Sequence, residues 1–284
     1  MLFKSISFYS KKRIINISIM LLLLIFCLAY LIPVYWLIGT SFKPDSQAMS
    51  WPPTFFPNKI VFDNYKIAVG EKSLFLYVKN SLIISISSVT LSIIIGIMAA
   101  FSFAYLKWKE RTRTNILLLI IGLRIMPPIT IAIPLFLIFA KLKLIDTYQA
   151  VICAYVLFNL PFVIWLLYCF FKELPNEIIE ASLVDGCSLT QLITKIIIPL
   201  SMPSIVTVFL LTFIGSWNEW LFAVKLTSFT TKTIPALIGS FITDRGFLWG
   251  QICAVGTISI LPVIIIALLI QRYIVSGLTF GAIK

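Results

Sequence analysis

The spacing of charged residues constrains this chain more than anything else in it. Five stretches, 14–42, 80–106, 147–171, 196–218 and 246–271, contain no Lys, Arg, Asp or Glu, and a sixth, 114–140, contains only Arg124. A helix that crosses the hydrocarbon of a bilayer needs roughly 20 apolar residues and tolerates few charges, so each stretch is long enough to span. Composition agrees: 60% of the 284 residues are hydrophobic and 12% are charged, against about 45–50% and about 25% in soluble domains. Lipid rather than water solvates most of this chain, which excludes a soluble enzyme. The expected fold is an all-α integral membrane protein, a single transmembrane domain with six spans near 14–38, 80–106, 114–140, 147–171, 203–224 and 248–271.

Six spans put both termini on one side. The clusters Lys4, Lys11, Lys12, Arg13 and Lys107, Lys109, Arg111, Arg113 fall on that side. Positive residues near span ends favour the cytoplasm, so both termini are expected inside. Totals separate the two sides poorly, twelve Lys or Arg inside against ten outside, with five of the ten in the outside loop 41–79. Density decides. The first apolar run far exceeds the ~7–15 residues of a signal-peptide core and no small-residue cleavage site follows it, so it reads as an anchor. The chain has no histidine, which removes His catalysis, His metal ligation and His proton relays together. Cys27, Cys153, Cys169, Cys187 and Cys253 show no CxxC spacing, and four of them lie in apolar runs. They read as small buried hydrophobes. No catalytic residue, cofactor site or metal site is expected.

Two loops are long enough to carry structure. The outside loop 41–79 is rich in aromatics and prolines, among them Trp51, Pro52, Pro53, Phe55, Phe56 and Pro57. The cytoplasmic loop 172–198 reads as helix, glycine turn, helix. Pro175 suits a helix start, and Glu177 and Glu180 suit the positive N-terminal end. No breaker follows until Gly186, which can take the left-handed conformation that closes a helix, and Ser188 with Gln191 forms a capping box for the next one. In that second helix Leu189, Leu192, Ile193, Ile196 and Ile197 build one wide apolar stripe bordered by Thr190, Thr194 and Lys195. It is therefore expected to lie across the cytoplasmic face, docked on the bundle, on lipid headgroups or on a partner.

The run Glu180-Ala181-Ser182-Leu183-Val184-Asp185-Gly186, followed by Ile196, Ile198 and Pro199, resembles the EAA signature of ABC importer permeases: E-A-A, three residues, G, nine residues, I, one residue, L-P. Ser182 stands where Ala is usual and Ile198 where Leu is usual, both volume-tolerant changes. Other segments are similar to the carbohydrate-uptake branch, specifically its smaller, maltose-type permease subunit. They are Ser41-Phe42-Lys43-Pro44, Asn80-Ser81-Leu82, Met126-Pro127-Pro128 with Pro134-Leu135, Leu160-Pro161-Phe162, Trp217-Asn218-Glu219, and Gln271-Arg272-Tyr273 leading to Gly277-Leu278. The resemblance runs from the first span to the C-terminus. It implies an inner-membrane subunit that forms half of a translocation pathway for a sugar. Its partners would be a second, homologous permease, two cytoplasmic ATPase subunits and an extracytoplasmic sugar-binding protein, with lipid around it and no nucleic acid. It also implies that Glu180, Ala181, Ser182, Asp185, Gly186, Ile196 and Pro199 couple the chain to the ATPase, whose closure rocks the permease bundle between inward and outward opening. Glu180 and Asp185 are then candidates to pair with basic residues of the ATPase, although a helix N-terminal charge accounts for Glu180 more plainly.

Absences narrow the alternatives. A Walker A loop needs glycine directly before lysine, and no glycine here precedes lysine, so ATP is bound elsewhere. An ion-coupled secondary transporter should hold several acids or histidines at membrane depth, whereas only Arg124 and Glu219 are ionisable inside the spans. A membrane-embedded hydrolase lacks a nucleophile, base and orienter. An ABC permease for a solute other than sugar remains as the alternative.

For the solute itself the candidates are Arg124, Trp217, Asn218 and Glu219. Arg124 lies beside Pro127 and Pro128, where lost backbone hydrogen bonds should open the helix toward a cavity, and pairing with Glu219 or a partner subunit is an equal expectation. Glu219 is placed near the outer end of an unbroken fifth span, facing the bundle. An aromatic ring beside an amide and a carboxylate suits a sugar path, and an interfacial aromatic belt is the plainer reading.

Overall fold

The computed structural model describes residues 2–69, 74–244 and 246–279, with side chains from 16–68, 74–244 and 246–271. The side chains of Lys4, Lys11, Lys12 and Arg13, and of Arg272, Tyr273, Gly277 and Leu278, lie outside the described residues. Among the described residues, four helices are individually long and apolar enough to cross a membrane, over Asn16–Ser41, Leu74–Tyr105, Tyr148–Lys172 and Trp249–Gln271. They belong to α1 (Leu2–Ser41), α4 (Leu74–Tyr105), α7 (Tyr148–Lys172) and α13 (Trp249–Thr279). The short helices α2 (Asp45–Ala48) and α3 (Asp63–Val69) lie between α1 and α4.

The other two expected spans are not straight. The stretch 114–140 forms α5 (Glu110–Leu123) and α6 (Pro128–Lys141), which meet at 82°. Pro127 and Pro128 explain the break: neither has an N–H to donate, and each disfavours helical backbone in the residue before it. Farther along, α8 (Asn176–Val184) precedes the helical segment α9 (Leu189–Leu200), which meets α10 (Met202–Trp217) at 77°. The expected fifth span, 203–224, is also interrupted. Helix α10 stops at Trp217, and α11 (Leu221–Leu226) starts afresh beyond residues 218–220. A short helix α12 (Ile234–Gly239) and the two-residue strands Ile242–Thr243 and Gly246–Phe247 complete the chain before α13.

The chain divides into two compact units, Met1–Gly70 with Thr243–Ile258 and Glu71–Ile242 with Ser259–Lys284. In the first, the segment after α1 folds back on that helix. Phe55 packs edge-on against Trp36 and Phe56 against Tyr35, and the Tyr35 hydroxyl donates to Phe55 O. Lys43 is buried, with its ammonium 4.2 Å from the centre of the Trp36 ring and donating to Thr54 O. Burial pushes its pKa down. Asn64 donates to Ser41 O and Lys43 O, and a Cβ on Gly250 would fall 2.4 Å from the Asn64 amide, so only glycine fits there.

The second unit is built on α4 against α7. Helix α4 presents Ser81, Ser85, Ser88, Ser92, Gly96 and Ala100 along one buried face. Small residues at this spacing let two membrane helices approach closely without burying a bulky polar group. A Cβ on Gly96 would lie 2.6 Å from Val163 Cγ1 of α7. Ile84, Ala150, Val151, Ala154 and Tyr155 continue the contact, with Ala132, Phe139, Phe222 and Leu226 packed against them. The thiols differ from expectation. Only Cys253 is buried, whereas Cys27 and Cys153 are exposed and Cys169 and Cys187 are half-buried. A span's outer face is solvated by lipid or a partner, so an apolar thiol needs no burial within its own chain.

Candidate functional site: an elbow and a broken fifth span

The sequence from Pro175 to Leu200 folds into an elbow. Pro175 caps α8 from outside rather than beginning it, and Asp185 ends it. Gly186 follows at φ +80°, with its N–H donating to Leu183 O and that of Cys187 to Ser182 O. This paired closure needs a left-handed residue, which glycine adopts without a Cβ penalty. The second arm opens on the capping box: the Ser188 N–H donates to Gln191 Oε1, 2.9 Å, and the Gln191 N–H to Ser188 Oγ, 3.3 Å.

The stripe on that arm is not a regular α-helical one. From Leu192 to Ile197 the chain winds as a π-helix. Pro199, which cannot donate to the carbonyl four residues back, accounts for the looser winding. Leu192 and Ile197 become buried, Ile193 and Ile196 half-buried, and Leu189 remains exposed. Part of the stripe is thus covered by the chain itself, and part is not.

On α8, Ser182 turns inward and its hydroxyl donates to Ile178 O, which explains how a serine replaces an alanine in a close-packed position. Glu180, Ala181, Leu183 and Asp185 face outward, and Val184 at the tip of the elbow is 87% exposed. Among the described residues the one ion pair is Lys66–Asp63, so neither Glu180 nor Asp185 meets a cation. A cavity of about 360 Å³ lies between Phe101 and Tyr105 at the end of α4 and Ile179, Glu180, Leu189 and Leu192 of the elbow.

The four pathway candidates separate into different environments. Arg124 caps the end of α5 and donates to Phe158 O at 2.8 Å, with its guanidinium carbon 4.3 Å from the centre of the Phe158 ring and 5.4 Å from that of Phe162. It does not pair with Glu219. Pro161 interrupts the hydrogen-bond ladder of α7 beside that carbonyl, and the guanidinium supplies a donor there while the rings attract its charge. Glu219 does not sit on a continuous helix. Its carboxylate accepts from the N–H groups of Leu221, Phe222 and Ala223, so it caps α11, and its main-chain carbonyl accepts from the Tyr155 hydroxyl. A carboxylate against the positive end of a restarted helix is satisfied without a counter-ion.

Trp217 is buried and stacked on Phe213, while Asn218 is exposed and donates to Ile214 O. Both line a cavity of about 260 Å³ together with Trp220, Ile234 and Ile238. Below them Asn159 donates to Ser216 Oγ at 2.7 Å, a buried polar link between α7 and α10.

Sequence reasoning missed a second cluster at this end of the unit. Asp146, left-handed at φ +61°, accepts from the backbone N–H groups of Ser228, Phe229, Thr230 and Thr231 and from the Thr231 hydroxyl. Burial acts to raise its pKa, but the four backbone donors outweigh it and hold the carboxyl well below the usual range. Asn80 donates to Thr230 O and Lys232 O and accepts from the Tyr148 hydroxyl, and Ser81 Oγ accepts from the Ile234 N–H. The segment 228–234 is therefore held from two sides. The only signal in the sequence was an acid placed just before the Thr147 cap of α7.

The family described as "Binding-protein-dependent transport system inner membrane component" matches residues 92–280. The chain is 37% identical over 278 residues to the trehalose/maltose transport system permease protein MalG of Thermococcus litoralis, covering 96% of this chain and 97% of that protein. It is 33% identical over 281 residues to the sulfoquinovosyl glycerol transport system permease protein SmoH of Agrobacterium fabrum, covering 98% and 96%. Among solved structures, a bacterial ABC transporter involved in import of the acidic polysaccharide alginate matches with TM-score 0.69 at 24% identity, over 92% of this chain and 97% of that one. With the elbow, the broken spans and full-length relatives in agreement, the chain belongs to the inner-membrane permease family of binding-protein-dependent ABC importers.

Proposed function

We propose that this chain forms one half of the pathway of a carbohydrate importer. It is a transport subunit, and ATP hydrolysis belongs to a separate subunit. The relatives whose names specify trehalose, maltose and sulfoquinovosyl glycerol support a mono- or oligosaccharide or a related polyol as cargo. The full assembly comprises this chain, a second homologous permease, two cytoplasmic ATPases and an extracytoplasmic sugar-binding protein, with both termini of this chain in the cytoplasm.

The observation that carries the reading is the elbow at Gly186. It is closed locally by backbone hydrogen bonds and a capping box, yet it leaves Glu180, Val184 and Asp185 exposed, with no ion-pair partner for either carboxylate among the described residues. A rigid projection with unsatisfied charge and apolar surface suits insertion into a groove of the ATPase, so that closure of the ATPase moves α8, α9 and the α10 joined to them at 77°. Glu180, Ala181, Asp185 and Gly186 form the contact, Ser182 fixes α8, and Ile196 and Pro199 shape the second arm. Trp217 and Asn218 face the solute, while Arg124 and Glu219 hold open the two breaks.

The test is reconstitution. This chain with its partner permease, ATPase and binding protein should take up the sugar that the binding protein retains, and should hydrolyse ATP faster when that sugar is present. The chain by itself should do neither. ATP hydrolysis or sugar uptake by the isolated chain would overturn the proposal, as would a binding protein that retains only non-carbohydrate solutes.

A further inference from the structure

A larger pocket, of about 390 Å³, is lined by Trp220 but not by Trp217 or Asn218. Trp220 lines both cavities, so its half-exposed ring is a shared wall. The ring lies where it does because Gly239 has no side chain: a Cβ there would fall 2.6 Å from the indole Nε1. Among the described residues that indole N–H meets no acceptor. Phe229, 74% exposed, and the polar residues Ser228, Ser240 and Lys232 line the rest of the pocket.

Two features set this pocket apart from an incidental crevice. Its wall is built in advance, because Asp146 holds the N–H groups of 228–231, Asn80 the carbonyls of Thr230 and Lys232, and Ser81 the N–H of Ile234. Lys232 reaches it without a carboxylate partner among the described residues, and partial burial pushes its pKa down, so an oxygen-rich occupant would relieve the ammonium. A flat aromatic face, hydroxyls and a single ammonium around a rigid concavity match the chemistry of a sugar ring, whose C–H face stacks on indole while its hydroxyls bond at the edge.

We propose that this pocket is a carbohydrate subsite in which one sugar ring stacks on Trp220, one wall away from the cavity of Trp217 and Asn218. It rests on the carbohydrate reading above and adds a site on this chain, on the extracytoplasmic side where the binding protein releases its cargo. Ser228 and Ser240 present hydroxyls and Lys232 its ammonium, and Gly239 is the residue that allows the stacking face.

The complete importer in nanodiscs, without binding protein, should be mixed in turn with glucose, maltose, trehalose, cellobiose and glucuronate while saturation transfer from protein to sugar protons is recorded by NMR. At least one sugar should show transfer. That transfer should fall roughly three- to tenfold in Trp220→Ala and in Gly239→Ala, recover largely in Trp220→Phe, and persist in Trp51→Ala, whose indole is exposed in the other unit. Absence of transfer from all five sugars would overturn the subsite, and so would transfer unchanged by Trp220→Ala in an importer that assembles normally. Uptake into proteoliposomes with binding protein separates the two levels. Uptake of a sugar with the same half-saturation in wild type and Trp220→Ala removes the subsite and leaves the importer reading intact, whereas failure to take up any sugar removes both.

Discussion

The two ends of the second unit are finished to different degrees. At one end, five donors converge on Asp146 and the segment behind it is tied to Asn80 and Ser81. At the other, the elbow closes its own backbone and leaves Glu180, Val184 and Asp185 exposed, the two carboxylates without an ion-pair partner among the described residues. A polar group that is satisfied inside the chain contributes to its stability, and one that is left open contributes to association. Damage at Asp146 should therefore appear as loss of fold, and damage at Gly186 as loss of a partner.

The largest effect should come from Asp146→Ala. It leaves four N–H groups and a hydroxyl without their acceptor, at a cost of about 1–3 kcal/mol, since bonds to charged groups are the strong ones but water can reach Ser228, Phe229 and Thr230. Thermal unfolding of the purified complex should shift down by several degrees while the ATPase remains attached. The sign of the pH dependence follows from a folded-state pKa below the ordinary carboxylate value. The stabilisation is complete above that ordinary value, about 4, and is lost as pH falls below it. The gap in unfolding temperature between wild type and Asp146→Ala should accordingly be constant from pH 7 to pH 5 and narrow in stronger acid. A gap that widens on acidification would contradict the clamp.

Next in size is Gly186→Val. A β-branched residue at φ +80° costs of order 1–3 kcal/mol locally, yet the chain should still insert and unfold near the wild-type temperature. Its yield of co-purified ATPase should drop sharply. Transport at the wild-type rate with the ATPase fully bound would make the elbow merely structural.

Ser188→Ala tests the same arm more gently. It removes one half of the capping box, worth about 1 kcal/mol, and frays the start of α9. Weaker ATPase retention than wild type but stronger than Gly186→Val is expected, and Ser188→Asp should restore it.

The smallest effect is a labelling pattern. Cys187, half-buried beside Gly186, is the one cysteine outside the apolar runs. A membrane-impermeant thiol reagent should modify it in inside-out vesicles and not in intact cells. Labelling in intact cells would reverse the orientation and place the clamp, not the elbow, beside the ATPase.

Much of the elbow was legible because its determinants are close in sequence. Gly186 and the Ser188–Gln191 box act over three or four residues, and the structure forms both. What the pattern could not give was the winding of 192–197, where Pro199 changes the helical period and with it which of the isoleucines are covered. The pathway candidates were legible as unusual residues and not as a group. Arg124 and Glu219 stood out as charges inside apolar runs, but one is satisfied by a carbonyl of α7 and the other by N–H groups of α11. Neither acceptor nor donors can be read from composition. Trp220 went unnoticed beside Trp217 because its position depends on Gly239, nineteen residues away, having no side chain.

The sequence alone determined that this chain lives in lipid, that prolines interrupt its third apolar stretch, and that a glycine elbow forms in the loop 172–198. Those properties are sums or short-range rules: hydrophobic length against bilayer thickness, a missing N–H, a missing Cβ. The tertiary structure decided which charges are answered and by what. The clamp joins Asp146 to residues 82 to 85 positions further on, and Asn80 to carbonyls 150 and 152 positions away. In a medium without water each such group must find a partner within the protein, and which partner it finds is settled only when the helices pack.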